Sequence, residues 1–260
     1  MNMYKEIIKY RDLLWMLTLR DIKIRYKQAA MGFAWAIFMP IIAACAGMVV
    51  KTLISIVANK PMDFAGVVSI TVKVLPYTFF ISSIRFSVAS LVGNHHLVTK
   101  IYFPREVLPF ASVLACLFDL AIASVPLAIL LSVARIGGSI HLLWLLILIP
   151  SLVLFTAGMG LLLSQANLFF RDVKHIVETI LMFGMFFTPV FYEAEMFGKF
   201  KPLLLSNPVA SILESMNRAV VLHQMPEMGW LLYAVGASVA MFLLGMFIFH
   251  RREPMFAENI

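Results

Sequence analysis

The residues able to do chemistry in this chain are few, and most are charged side chains set in apolar surroundings. The stretch "LRDIKIRYKQAAMGFAWAIFMP", Leu19 to Pro40, carries Arg20, Asp21, Lys23, Arg25 and Lys27 and then no charge to its end. A second group, Phe103-Pro104-Arg105-Glu106, and a third, Arg171-Asp172, punctuate later apolar runs, while Arg85 and Asp119 stand alone inside such runs. None of these sets is catalytic in type. No G-x-x-x-x-G-K-[ST] phosphate loop is present, so the chain does not hydrolyse nucleotide by that route. No G-x-S-x-G elbow frames a nucleophile. His95 and His96 are adjacent, which on a helix points them about 100° apart and argues against a shared metal. No enzyme, no resident cofactor and no metal site is expected.

The mixed signs suggest a surface instead. Arg20-Asp21 followed by Lys23 and Arg25 includes an acidic residue for which a lipid anchor has no use, and such a patch suits a protein partner. The lysines around it also serve orientation and contact with anionic lipid.

The elements that carry these residues follow from composition. Of 260 residues 62% are hydrophobic and 13% charged, about half the charged share of an average soluble domain. Cys45 and Cys116 lie in apolar runs, which excludes a disulfide framework. No short apolar segment followed by small residues marks a cleaved leader. A helix needs about 20 apolar residues to cross a bilayer, and six segments come near that, at roughly 33–57, 74–92, 106–133, 141–164, 175–193 and 229–249. The expectation is an all-α membrane protein of six transmembrane helices with both termini cytoplasmic. In that topology thirteen Lys and Arg lie inside and six outside, with Lys51 and Arg85 in spans. The bias accounts for most of the +7 net charge without nucleic acid.

Residues 1–32 read as an N-terminal amphipathic cytoplasmic interface helix, its basic wedge toward water and phosphates and Trp15 as anchor. Residues 33–260 form the six-span domain. Its outer loop between spans five and six, about 196–225, is too apolar for a loop and too interrupted to cross. Two short re-entrant helices, begun by Pro202 and Pro208, are expected there, with an ion pair between Glu214 and Arg218 four positions apart.

Three stretches then carry a resemblance. "WMLTLRDIKIRYKQAAMGFAWAIFMP", "KIYFPREVLP" and "NLFFRDVKHI", the last followed by "TPVFY" and "NPVASILESMNR", resemble in order and spacing the permeases of bacterial type 2 ABC exporters for O-antigen, capsule and wall teichoic acid. Met31 stands where that family has Leu, and Tyr77 where Trp is common.

The resemblance implies a homodimer that recruits two copies of a separate P-loop ATPase, which binds ATP and Mg, and moves a lipid-linked polysaccharide out of the cytoplasm across the inner membrane. It implies ATPase-coupling contacts among Arg20, Asp21, Arg25, Tyr26, Phe103, Pro104, Arg105 and Glu106. Phe33, Trp35, Phe38, Tyr77, Phe79, Phe80 and Phe86 are candidates to stack sugar rings in a passage between the two copies, lipid-facing or core packing being the alternative for each. Arg85 costs about 2.5–3.5 kcal/mol at a bilayer centre; it either guides phosphate at the passage mouth or pairs with Asp119. Pro189, Tyr192, Asn207, Pro208, Glu214 and Arg218 would form an outer gate. An ABC exporter of a drug or lipid, or an ion-coupled carrier, is the alternative function. The sequence does not name the polymer.

Overall fold

The computed structural model describes residues 10–27, 32, 34–57, 64–100, 103–133 and 136–258. Every regular element among them is helical. The helices are α1 (Arg11–Tyr26), α2 (Ala34–Val57), α3 (Phe64–Gly93), α4 (His95–Lys100), α5 (Val107–Val133), α6 (Leu145–Phe169), α7 (Val173–Phe187), α8 (Lys201–Leu205), α9 (Pro208–Val220) and α10 (Met228–Arg252). Short 3₁₀ segments at Ile140–Trp144, Ala194–Phe200 and Glu253–Glu258 adjoin α6, α8 and α10.

Among the described residues five helices are long and apolar enough to cross a membrane: α2, α3, α5, α6 with its 3₁₀ lead-in, and α10. The expected fifth span is shorter than its hydropathy suggested. α7 has 15 residues, about 22 Å at 1.5 Å per residue against an apolar layer of about 30 Å. Pro189 is the reason: the residue before a proline is pushed out of helical geometry, and Thr188 sits extended at φ −108°, ψ 132°.

Apolar helices still carry hydroxyls, and several of these bond back into their own helix. Ser151, Thr156 and Ser238 each donate to the carbonyl four residues earlier, at 2.7 Å, so none costs an unsatisfied group in hydrocarbon. α3 is the most enclosed of the long helices and α2 the least. The closest approach joins α6 and α10 at Gly158 and Gly245. A Cβ on Gly158 would lie 2.5 Å from the Met241 carbonyl oxygen, and one on Gly245 2.5 Å from that of Gly158. Only glycine permits this backbone contact.

Two apolar cores result. The larger is built chiefly from α3, α5, α6, α9 and α10. The smaller gathers Leu17 of α1, Leu91, Phe103, Leu108, Leu168, Phe249 and Phe256 at the end of the bundle where the N-terminal helix and the C-terminal segment meet.

α1 packs along α5, sharing the smaller core near Leu17 and reaching Asp119 through Arg25. Of its basic wedge, Lys23 and Lys27 are exposed and Lys5 and Lys9 lie outside the described residues; Arg25 turns inward, while Trp15, Met16 and Ile24 are exposed. The Thr18 hydroxyl bonds the Leu14 carbonyl within this helix.

At the opposite end, the two short helices expected between 196 and 225 are present as α8 and α9, and Pro202 and Pro208 stand in their first turns. Asn207 caps α9, its side chain accepting from the Val209 amide at 3.1 Å. Lys73, counted from the sequence among outer loop residues, lies within α3 and is fully buried.

Candidate functional site: an aromatic cleft with a buried ion pair

A cleft of about 370 Å³ opens between α1, α2, α3 and α5. Its polar centre is Asp119, twelve residues into α5. Arg25 Nη1 donates to Asp119 Oδ2 at 2.7 Å, and the Tyr26 hydroxyl donates to Oδ1 at 2.6 Å. Both carboxylate oxygens thus have a partner, which is the condition for keeping such a charge among apolar helices. The guanidinium also lies 3.8 Å from the Phe86 ring centroid, a cation–π contact that uses its flat face while its edge bonds the carboxylate. Burial first, and then the hydrogen bond to Asp119, push the Tyr26 hydroxyl above its ordinary range, so it remains a donor.

Around this centre stand Trp35, Phe79 and Phe86, with Thr78 and Ser82 supplying hydroxyls and Met39, Leu75 and Ala123 closing the floor. Trp35 packs edge-on to Phe38, ring centroids 5.8 Å apart. Aromatic faces beside a paired carboxylate and guanidinium are what a sugar ring needs: CH faces stack and hydroxyls find donors and acceptors.

The sequence-predicted aromatics therefore divide. Trp35, Phe79 and Phe86 line the cleft and Phe38 flanks it, but Tyr77 and Phe80 are buried in the larger core, where Phe80 packs against Phe155 at 6.2 Å. Phe33 lies outside the described residues. Arg85 is exposed on α3, does not line the cleft and does not pair with Asp119. That pairing is corrected by Arg25, whose helix packs directly on α5.

The charged surface expected for a partner divides too. Arg20 and Asp21 pair with each other at 2.9 Å and remain partly exposed, as does Pro104. Arg171 and Asp172 are exposed in their turn. Arg25 and Tyr26 are turned into the cleft. Phe103 is in the smaller core, and Glu106 is fully buried and faces His250 at 3.6 Å, so neither offers a surface in this conformation. Arg105 is held within the chain, donating to the Glu253 carbonyl at 2.6 Å.

At the opposite end, the expected Glu214–Arg218 pair does not form. Glu214 faces Lys73 of α3 at 3.9 Å, and Lys73 donates to the Tyr192 carbonyl at 2.6 Å. Arg218 instead bonds Glu227, which Lys201 also reaches at 2.6 Å, and Lys51 pairs with Glu193 at 3.2 Å. α9 packs on α3 with one side and α10 with another, and these neighbours outcompete a contact along its own surface. Pro189 is buried, and the Asn207 amide donates to the Thr188 hydroxyl at 3.2 Å, joining the end of α7 to the start of α9.

Reasoning on the sequence singled out Asp119 and Arg25 separately and missed that they meet. No family model matches the chain. Three relatives span nearly its whole length. The O-antigen export system permease protein RfbA of Klebsiella pneumoniae is 30% identical over 258 residues, 95% of this chain and 94% of that protein. The protein of the same name from Myxococcus xanthus is 29% identical over 269 residues, the whole of this chain and 99% of the relative. The polysialic acid transport protein KpsM of Escherichia coli is 22% identical over 244 residues, 91% and 92% of the two chains. Matched from end to end in sequence and built of long apolar helices, the chain belongs to the permease family of bacterial type 2 ABC exporters and is a multi-pass protein of the inner membrane.

Proposed function

We propose that this permease exports a lipid-linked polysaccharide of the O-antigen, capsule or teichoic-acid type, driven by ATP hydrolysis in a separate subunit present in two copies. The observation that carries the reading is the cleft, in which Trp35, Phe79 and Phe86 stand beside the Arg25–Asp119 pair. O-antigen export and polysialic acid transport are what the names of the relatives state for those proteins.

Two copies close the passage in this reading. α2 is the least enclosed long helix, and its Ile41, Ile42, Val49 and Leu53 are exposed along the same helix that lends Trp35 and Met39 to the cleft. A second α2 facing it turns two open clefts into one channel and brings the six crossings of each chain to twelve. α7 is the sixth crossing, extended by the Thr188–Tyr192 turn, and both termini are then cytoplasmic. The α8–α9 pair dips into the outer leaflet as a collar, held by Lys73–Glu214 and Arg218–Glu227. On the cytoplasmic side Arg20, Asp21, Pro104 and the Arg171-Asp172 turn remain available to the ATPase.

The test is complementation. A strain deleted for its own permease and supplied with this chain and its companion ATPase regains surface polymer, detected by antibody on intact cells. An ATPase lacking its P-loop lysine leaves the polymer inside. Surface polymer that persists with the dead ATPase contradicts the reading.

A further inference from the structure

Glu106, His250 and Glu253 come from two separate parts of the chain. Glu106 ends the Phe103–Glu106 loop, His250 lies in the last turn of α10, and Glu253 follows that helix. One ligating atom from each lies within 4.8 Å of the others. Glu106 is fully buried and His250 and Glu253 are partly exposed. His250 Nδ1 is 3.2 Å from the Met246 carbonyl oxygen. A carbonyl can only accept, so Nδ1 holds a proton and Nε2 points at the carboxylates.

Nε2 is 3.6 Å from Glu106 Oε1. A charge-assisted N–H···O⁻ bond is shorter, about 2.7–2.9 Å. Two ligands at about 2.0–2.2 Å from one tetrahedral ion stand about 3.4 Å apart, which is near the observed separation. The Glu253 carboxylate is oriented in turn by the Arg105 amide, which donates to it at 3.3 Å, as an outer partner orients a metal ligand. The Arg105 guanidinium is directed away, to the Glu253 and Val98 carbonyls. Two carboxylates, a neutral imidazole and a dication sum to zero charge, which suits a site whose deepest ligand is fully buried.

We propose that these three side chains bind one divalent transition-metal ion of the zinc type, with water in the open position on the exposed side. One imidazole and two carboxylates are nitrogen and oxygen donors that bind zinc well. The ion would clasp the C-terminal segment to the loop between α4 and α5, independently of which polymer is carried.

The test uses the full-length permease in detergent, stripped with EDTA and titrated with ZnCl₂ in a calorimeter. One ion per chain binds, and the melting temperature rises with it. His250→Ala weakens binding at least tenfold, and Glu106→Gln does the same; the double variant of the exposed pair, His95→Ala with His96→Ala, leaves binding unchanged. Cobalt in place of zinc gives the intense visible bands of a four-coordinate ion in the unsubstituted protein, a readout that needs no variant to fold. No stoichiometric ion, a pale six-coordinate cobalt spectrum, equal binding by His250→Ala, or loss on removing His95 and His96 overturns the proposal.

Discussion

Arg25 and Asp119 stand 2.7 Å apart although α1 begins outside the spans and α5 is one of them. The pair fastens the charged N-terminal helix to the wall of the aromatic cleft, so any motion of α1 is felt at Phe86, on which the Arg25 guanidinium rests.

Removing one member of this pair leaves a partly buried charge without its counter-ion. Asp119→Ala and Arg25→Ala are each expected to lower stability by about 1–3 kcal/mol, with Tyr26→Phe nearer 1. Arg25→Ala with Asp119→Ala costs less than the two single losses added. Melting temperatures of the four variants in detergent give the coupling directly.

Arg85 is independent of that pair. The losses of export in Arg85→Ala and Asp119→Ala are therefore expected to add in the double variant. Restoration of export by the double variant, measured as surface polymer, would show that the two residues meet after all.

The Gly158–Gly245 contact leaves no room for a side chain. Gly158→Leu forces α6 from α10 and is expected to lower the melting temperature by on the order of 5 °C, from an overpacking cost of about 1–3 kcal/mol. Gly229→Ala, with open space around it, serves as the control and leaves the melting temperature within about 1 °C.

Lys73 is fully buried and its ammonium depends on the Tyr192 carbonyl and on Glu214. Lys73→Met strands the Glu214 carboxylate and is expected to cost about 3 kcal/mol, while Lys73→Met with Glu214→Leu recovers much of that. Protease sensitivity of the α8–α9 segment, measured on spheroplasts and on inverted membrane vesicles, reports whether the segment has loosened.

Much of the fold was legible because crossing a bilayer demands long apolar helices, and the bounds of α2, α5 and α10 follow from where apolar residues begin and end. The short helices α8 and α9 were legible from Pro202 and Pro208, which occupy helix starts. α7 was overestimated because hydropathy counts Thr188 to Tyr192 as apolar while Pro189 ends the helix. Pairings were the least legible part. Glu214 and Arg218 have the right spacing for each other, yet each turns to a neighbouring helix, a choice set by packing. The same holds for Glu106, whose charge in "FPRE" suggests a surface until α10 covers it.

Passage of polymer through the cleft of Trp35 and Phe86 is open to a direct measurement, a photo-crosslinking amino acid placed at either position in cells engaged in export. Polysaccharide is expected to be captured at both positions when the ATPase is active, and not at Leu232, which is exposed on α10 away from the cleft. Capture at Leu232 as strong as at Trp35, or no capture at either cleft position during active export, would contradict it.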